Sequence, residues 1–346
     1  MTNYKEVLEN LGYKLSDHGP YWRTNALYRA GDNNTALQIY KDSGVWKDYV
    51  EDTMYLPFEV LVQKTTKKSD VKSILKNLKT SNLSVRTEKK LLKEEKTYDQ
   101  SCLKRLLPHY DFYLNKNISK HTLLDFKCGL AHSGPMYQRM VFPVLRDDKR
   151  IHGFSGRKIT NDDRPKWFHK GKTANWFYPY FTIDEVQQQI TSKRQVHVVE
   201  SIGDCMALYE CGIKNVLVSF GLNMSPKFIS RLSALNLQNI YISYNNDSES
   251  ERNRGFEGAV KSIFKLSDAV DFDRIYFCPP DGNDFGDMTK EQIYSYEDQC
   301  FSADHQISMH KVISIAEEMH KKGVNKSFSQ SLKKLKKKYK FYYGRP

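Results

Sequence analysis

Three groups of acidic and amide side chains stand where short apolar runs end. Glu200 closes VHVVE, Asn245, Asn246 and Asp247 follow NIYISY, and Asp281, Asp284 and Asp287 follow RIYFCPP. Any one of them is an ordinary polar loop residue. As a set they carry more, because apolar runs alternating with helical segments form a parallel sheet, and the loops after parallel strands meet along one edge. Carboxylate and amide oxygens gathered there are hard ligands suited to Mg2+ or Mn2+. Two such ions could hold the attacking and leaving oxygens of an in-line phosphoryl transfer. Glycines accompany the acids: Gly203 is expected to keep the turn after Glu200 narrow, and Gly255 and Gly258 to let the next helix approach the sheet closely.

The elements that must position this set follow from the pattern of residues 195–280. VHVVE, NVLVSFG, NIYISY and RIYFCPP read as strands. GDCMALYECG, SPKFISRLSAL and RGFEGAVKSIFKLS read as the helices between them. The first ends at Gly212, and the second has Ser225 as its cap and Pro226 at its first position. Upstream, residues 101–190 begin helical in SCLKRLLPHYDFYL and TLLDFKCGL. They continue as a hairpin in MYQRMVFPVLRDDKRIHGFSGRKI, with DDKR at its turn. Residues 1–63 carry alternating polar-aromatic runs separated by GDNN and KDSG, the pattern of a small antiparallel sheet. Residues 64–100 are lysine-rich and poor in large apolar side chains, and read as a charged linker. Residues 291–346 read as a basic helical tail; from Lys321 to Pro346 there are nine lysines, one arginine and no acid.

A length of 346 residues suffices for two or three domains. The net charge of +13 is clustered, which puts nucleic acid ahead of other partners. Six cysteines, at 102, 128, 205, 211, 278 and 300, form no CxxC pair, so no cysteine-held zinc is expected. Nor do they form a disulfide framework, which points to a reducing, cytoplasmic compartment. MTNYKEVLEN lacks the apolar run of a signal peptide, and no stretch approaches a membrane span, so no membrane partner is expected.

VVESIGDCMALYECGIKNVLVSFG, ISYNNDSESERNRGFEGA and CPPDGNDFGD together resemble the Toprim module of DnaG-type DNA primases. RMVFPVLRDDKRIHGFSGRKI, continued by DDRPKW, resembles the basic subdomain that precedes Toprim in those enzymes. The likeness covers about residues 130–290, and both blocks in this order separate it from the topoisomerases and nucleases that carry Toprim alone. The missing cysteine pairs and the style of the N-terminal unit are most similar to the primase subunits of T-even-like phages.

The resemblance implies an α/β fold. A Toprim-type parallel sheet flanked by helices (residues 191–290) would follow a mixed α+β basic subdomain (101–190) and a small antiparallel ribbon-like module (1–63). It implies synthesis of short RNA primers on a single-stranded DNA template from ribonucleoside triphosphates, with Mg2+ or Mn2+, without zinc, beside a replicative helicase. Glu200 matches the glutamate of the first Toprim motif, a metal ligand or acid–base group. Asn245 and Asp247 match the two positions of the DxD motif. Asp284 matches the later acidic residue of the same site, with Asp281 its nearest competitor. Arg139, Arg157 and Lys166 match basic positions that line the cleft for template and nucleotide phosphates. One position departs: Asn245 stands where an aspartate is usual, which keeps an oxygen but removes a charge. A weaker second metal site follows, and so does the alternative of a catalytically weak or inactive Toprim protein that binds single-stranded DNA and a helicase. The N-terminal unit resembles the primase zinc ribbon in length and strand pattern but lacks its cysteines. Trp22, Tyr40, Trp46 and Tyr49 read as the aromatics it packs on, with stacking on template bases as the alternative.

Overall fold

The computed structural model describes residues 3–29, 33–51, 55–66, 96–247, 252–323 and 326–344. The lysine-rich stretch read as a linker lies outside the described residues over 67–95.

The N-terminal module consists of α1 (Tyr4–Asn10), β1 (Ser16–Asp17), β2 (Tyr21–Thr24), β3 (Leu37–Tyr40), β4 (Trp46–Asp48) and α2 (Phe58–Thr66). Its four strands form one antiparallel sheet in chain order. Strand alternation sends Trp22, Leu37, Ile39 and Trp46 inward, where they pack with Val7 and Leu8 of α1 and Phe58 and Leu61 of α2. The opposite face carries Tyr21, Arg23, Tyr40 and Lys47, with Tyr49 just beyond the last strand. The four aromatics expected to pack together therefore divide. Trp22 and Trp46 are core, with Trp46 Nε1 donating to the Pro57 carbonyl at 2.9 Å, whereas Tyr40 and Tyr49 lie on the outer face.

The body begins with α3 (Asp111–Leu114) and α4 (Lys120–Asp125). An antiparallel sheet follows, with β5 (Gly129–Ala131), β6 (Arg139–Leu145), β7 (Ile151–Lys158) and β8 (Trp167–Lys170) in that order. DDKR closes the β6–β7 hairpin, with Arg146 N donating to Arg150 O at 2.9 Å. After α5 (Asp184–Lys193) the chain alternates through β9 (Gln195–Val199), α6 (Ile202–Glu210), β10 (Val216–Val218), α7 (Pro226–Ser233), β11 (Asn239–Ile242), α8 (Arg254–Ser267) and β12 (Ile275–Phe277). These four strands are parallel, in the order β10-β9-β11-β12. Ser225 caps α7 as its sequence suggests, its Oγ accepting from Phe228 N at 3.1 Å.

One hydrophobic core takes in both sheets, from Phe142 and Val144 of β6 to Val196 and Val198 of β9. Two polar contacts reinforce the join. Val218 N donates to Tyr178 O at 2.8 Å. Glu210, at the end of α6, accepts from Ser119 N, Ser119 Oγ and Thr122 Oγ1 at 3.0, 2.9 and 2.6 Å, which docks the start of α4.

The C-terminal residues expected as a tail form α9 (Lys290–Phe301), α10 (His305–Lys321) and α11 (Lys326–Tyr343), which belong to the body. In α11 the side chains of Phe328, Leu332, Leu335 and Tyr339 are buried and join the main core, with α8 and α10 as the helix's neighbours. Their spacing of four, three and four makes one apolar stripe among the lysines. Among the described residues no helix is long and apolar enough to cross a membrane, and all six cysteines are unpaired.

Two of the glycines behave differently. A Cβ on Gly255 would lie 1.9 Å from the carbonyl oxygen of Asn245, so α8 starts directly against the loop that follows β11. A Cβ on Gly203 would meet only Ser201 Oγ at 3.5 Å, an ordinary contact, so this glycine does not narrow the turn after Glu200. Gly255→Ala is accordingly expected to destabilise the protein by roughly 1–3 kcal/mol, because backbone must move to admit the methyl group. Gly203→Ala should be neutral or slightly stabilising, since it replaces a glycine inside a helix. Urea unfolding of both variants checks the pair, and equal effects would contradict the close approach of α8.

Candidate active site

The parallel sheet has a switch point. From β9 the chain moves to β10 on one side, then crosses to β11 on the other, so the loops at the carboxyl ends of β9 and β11 part and leave a crevice. Glu200 follows β9 there and Asn245–Asp247 follow β11, while the loop after β12 brings in Asp284. Hydrogen bonds tie these loops together. Asn246 N donates to Asn283 O and Asn253 Nδ2 to Asn246 Oδ1, both at 2.9 Å. Asp247 Oδ2 accepts from Gly255 N, also at 2.9 Å, in the first turn of α8, where unpaired N–H groups favour a carboxylate.

The charges converge on Glu200. Burial raises its pKa first, and Asp247 adds to the rise; Lys166 and Arg254 oppose it, and Asp284 contributes in the same sense as Asp247. Asp204, one turn into α6, belongs to the same group, although the strand-end pattern does not single it out. It is 2% exposed. Burial, then repulsion from Asp284, pushes its pKa up to about 7, with Ser201 hydrogen bonds opposing. Ser201 N and Oγ donate to Asp204 Oδ2 at 3.1 and 2.7 Å, and Ser201 Oγ in turn caps the helix. The signal that could have found it is the Ser-x-x-Asp spacing right after a strand, the mark of a capping box.

Asn245 presents a different feature. Its Oδ1 is buried and has no hydrogen-bond partner. A buried carbonyl oxygen without a donor is uncommon and costly, and such an oxygen suits a hard cation. Glu200, Asp204, Asp247 and Asp284 in the neighbouring loops and helix offer only oxygen donors, the chemistry that suits Mg2+ or Mn2+. Among the described residues no three His, Cys, Asp or Glu side chains converge on one coordination point.

Across a cleft of about 600 Å3 the antiparallel sheet faces Asp204 and Asp284; Glu200, Asn245 and Asp247 do not border it. Arg157 of β7 and Lys166, just before β8, line that cleft with Asp204, Asp284 and Asp287. The Arg157 guanidinium lies between two rings, 5.5 Å from the centre of Phe112 and 5.8 Å from that of Trp167, and donates to Lys166 O at 3.4 Å. Lys116 and Lys290 add positive charge at the rim.

Two expected residues stand apart. Arg139 does not line the cleft: it is 3% exposed, and its Nη1 donates to Gly156 O and Pro165 O at 3.1 and 3.0 Å. It braces the backbone that carries Arg157 and Lys166. Asp281 is exposed, accepts from Gln299 Nε2 at 3.2 Å, and does not border the cleft. Between Asp281 and Asp284, only Asp284 acts on Glu200 and Asp204.

Asp204 gives the site a pH signature. Its folded carboxyl holds a proton up to about pH 7, whereas an unfolded one ionises at about pH 4. Between those values the folded state binds more protons, so this residue's contribution to stability falls as pH rises from about 4 to about 7. Asp204→Asn should remove that slope and leave the variant more stable than the parent at pH 8, by roughly 1–3 kcal/mol. Unfolding midpoints across pH in a chelating buffer measure this; parallel pH profiles would show that Asp204 ionises normally.

No family model matches the chain. It is 27% identical over 187 residues to a DNA primase of Lactococcus lactis subsp. lactis, a match covering 49% of this chain and 29% of that protein. It is 27% identical over 164 residues to a DNA primase of Aquifex aeolicus, covering 44% of this chain and 30% of that one. With a DNA primase of Pseudomonas aeruginosa the identity is 32% over 105 residues, covering 28% and 15%. The chain thus spans less than a third of the length of these relatives. Among solved structures it is similar to the zinc-binding and RNA polymerase domains of the Aquifex aeolicus primase, with 16% identity, 99% of this chain and 95% of that one covered, and a TM-score of 0.49. It is also similar to a DnaG primase catalytic domain bound to single-stranded DNA, with 16% identity, 71% and 94% covered, and a TM-score of 0.49.

Proposed function

We propose that this chain is the catalytic part of a DnaG-type DNA primase and joins ribonucleotides into short primers on single-stranded DNA. The observation that carries the reading is a cleft in which Asp204 and Asp284 meet Arg157 and Lys166, with Glu200, close enough to Asp247, Asp284 and Lys166 to feel their charges, at the adjoining strand end. A nucleoside triphosphate needs both walls: cations for its phosphates and oxygens for the metal it brings. The DNA primases among the relatives support the same class.

Mg2+ or Mn2+ held by these oxygens would supply activation of a 3′-hydroxyl and neutralisation of charge on the leaving pyrophosphate. The chain's own groups do the positioning. Arg157, fixed between Phe112 and Trp167, offers a planar fork to two phosphate oxygens, and the exposed Lys166 adds a point charge. Asp247 has one oxygen held by Gly255 N and lies close enough to Glu200 to raise its pKa. Glu200, its pKa raised by burial and by Asp247, is suited to accept the hydroxyl proton.

The outer face of the N-terminal sheet supports a hold on the template. Tyr40 lies 6.0 Å from Tyr21 and 5.9 Å from Tyr55, while Arg23 and Lys47 sit 5.2 and 5.0 Å from the Tyr49 ring. Flat rings interleaved with cations suit a single strand. In this reading the module needs no zinc, the chain is of the kind found in the primase subunits of T-even-like phages, and the enzyme works beside a replicative helicase in the cytoplasm. A second reading rests on Asn245, whose neutral amide weakens the crevice: a protein that binds the strand and a helicase without synthesis.

Glu200→Gln and Asp247→Asn should each lower ribonucleotide incorporation on single-stranded DNA by about 100-fold or more, with strand affinity unchanged. Wild-type rates from either variant would defeat the assignment. Template cleavage by the parent protein would indicate a nuclease, and strand binding without product would favour the second reading. Asn245→Asp should lower the Mg2+ concentration needed for half-maximal rate; an unchanged requirement counts against a ligand role.

The template surface is tested separately. Tyr40→Ala with Tyr49→Ala should weaken binding to a short single strand by about fivefold or more, leaving the unfolding midpoint in place. Unaltered affinity would make these tyrosines bystanders.

A further inference from the structure

Far from the cleft, where the N-terminal module meets the C-terminal helices, α2 and α11 border an open groove of about 360 Å3. It lies by Asp268 at the carboxyl end of α8, whereas the acidic crevice lies at the amino end of that helix, roughly 20 Å away for 14 residues. Lys64 of α2 and Lys334, Lys337 and Lys338 of α11 line it, with Phe341 at its edge. Two acids, Glu51 and Asp268, share the lining, and Glu51 is already divided between Lys64 at 3.7 Å and Arg29 at 3.8 Å. α11 contains no Asp or Glu. Lys334 and Lys337 make no ion pair among the described residues. Cations held together without matching acids are relieved by a polyanion.

The frame is stiff. Phe328, Leu332, Leu335 and Tyr339 bury the other side of α11, so the lysines are presented from a fixed helix. Lys334 and Lys338, and Lys337 and Phe341, are each four apart and therefore neighbours on its surface. Phe341 is 85% exposed. A bare ring beside phosphate-binding charge suits an unstacked base, which a duplex or an acidic peptide does not offer.

We propose that this groove binds a single strand of nucleic acid, its phosphates on Lys64, Lys334 and Lys337 and one base on Phe341, as a site separate from the catalytic cleft. The test uses the full chain with a fluorescent oligothymidylate, in chelator, and follows affinity against salt. Lys334→Gln with Lys337→Gln should weaken binding about tenfold and reduce the log–log salt slope by roughly 1.4, about 0.7 for each phosphate no longer neutralised. Phe341→Ala should weaken it about fivefold with the slope unchanged. These side chains are at the surface, so unfolding midpoints should not move. Unchanged affinity and slope in the lysine variant overturn the proposal. Equal binding of a blunt duplex or polyglutamate, with Phe341→Ala silent, overturns the single-strand assignment. The readout is binding alone, so the result does not depend on whether the chain makes primers.

Discussion

Glu200, Asp204, Asp247 and Asp284 repel one another, and burial makes that repulsion stronger. Each is accommodated by a group from another element. Lys166 and Arg254 oppose the rise at Glu200, Ser201 holds Asp204, the Gly255 N–H holds Asp247, and Arg157 faces Asp284. The parallel sheet can bring the acids together, but it cannot supply enough positive charge for them. Arg157 and Lys166 on the antiparallel side add to what Arg254 supplies, and the core shared by the two sheets holds that side in place.

Fixing that second wall takes several contacts with no chemical role of their own. Glu210 clamps the start of α4 and so sets the helical segment that carries Phe112. Tyr178 pairs with Val218 across the boundary. Arg139, buried under β7 and the approach to β8, uses its charge on backbone carbonyls and thereby sets where Lys166 emerges. An arginine in this place serves as structural support for the neighbouring backbone. The cleft is thus a consequence of how two sheets are braced against each other.

The same division of labour recurs in the N-terminal module. Strand alternation gives its sheet an apolar side, closed by α1 and α2, and an aromatic-cationic side that no element covers among the described residues of the module. In α11, likewise, an apolar stripe commits the helix to the body while the lysines remain at the surface. Polar surface in both places is a by-product of burial on the opposite face, which makes it available for a charged strand.

Several features were determined by the sequence alone because they are local. The β-α alternation, the DDKR turn, the Ser225–Pro226 start of α7 and the placement of acids after strands each depend on neighbours a few residues apart. The rule that loops after parallel strands meet along one edge then carries Glu200, Asn245 and Asp247 together from the sequence. What the tertiary structure decided is direction. Asp281 and Asp284 are three residues apart in one loop; Gln299 of α9 holds the first at the surface, while the second accepts from Asp287 N and borders the cleft. Asp204 reads as a plain helical residue until the next wall desolvates it. Arg139 cannot be told from Arg157 by composition; one points into the brace between strands and the other into the cleft. Trp22 and Tyr40 separate only once the register of neighbouring strands fixes which face meets the helices. The physical reason is common to all: backbone patterns arise from short-range sterics and hydrogen bonds, whereas the environment of a side chain is set by elements distant in sequence.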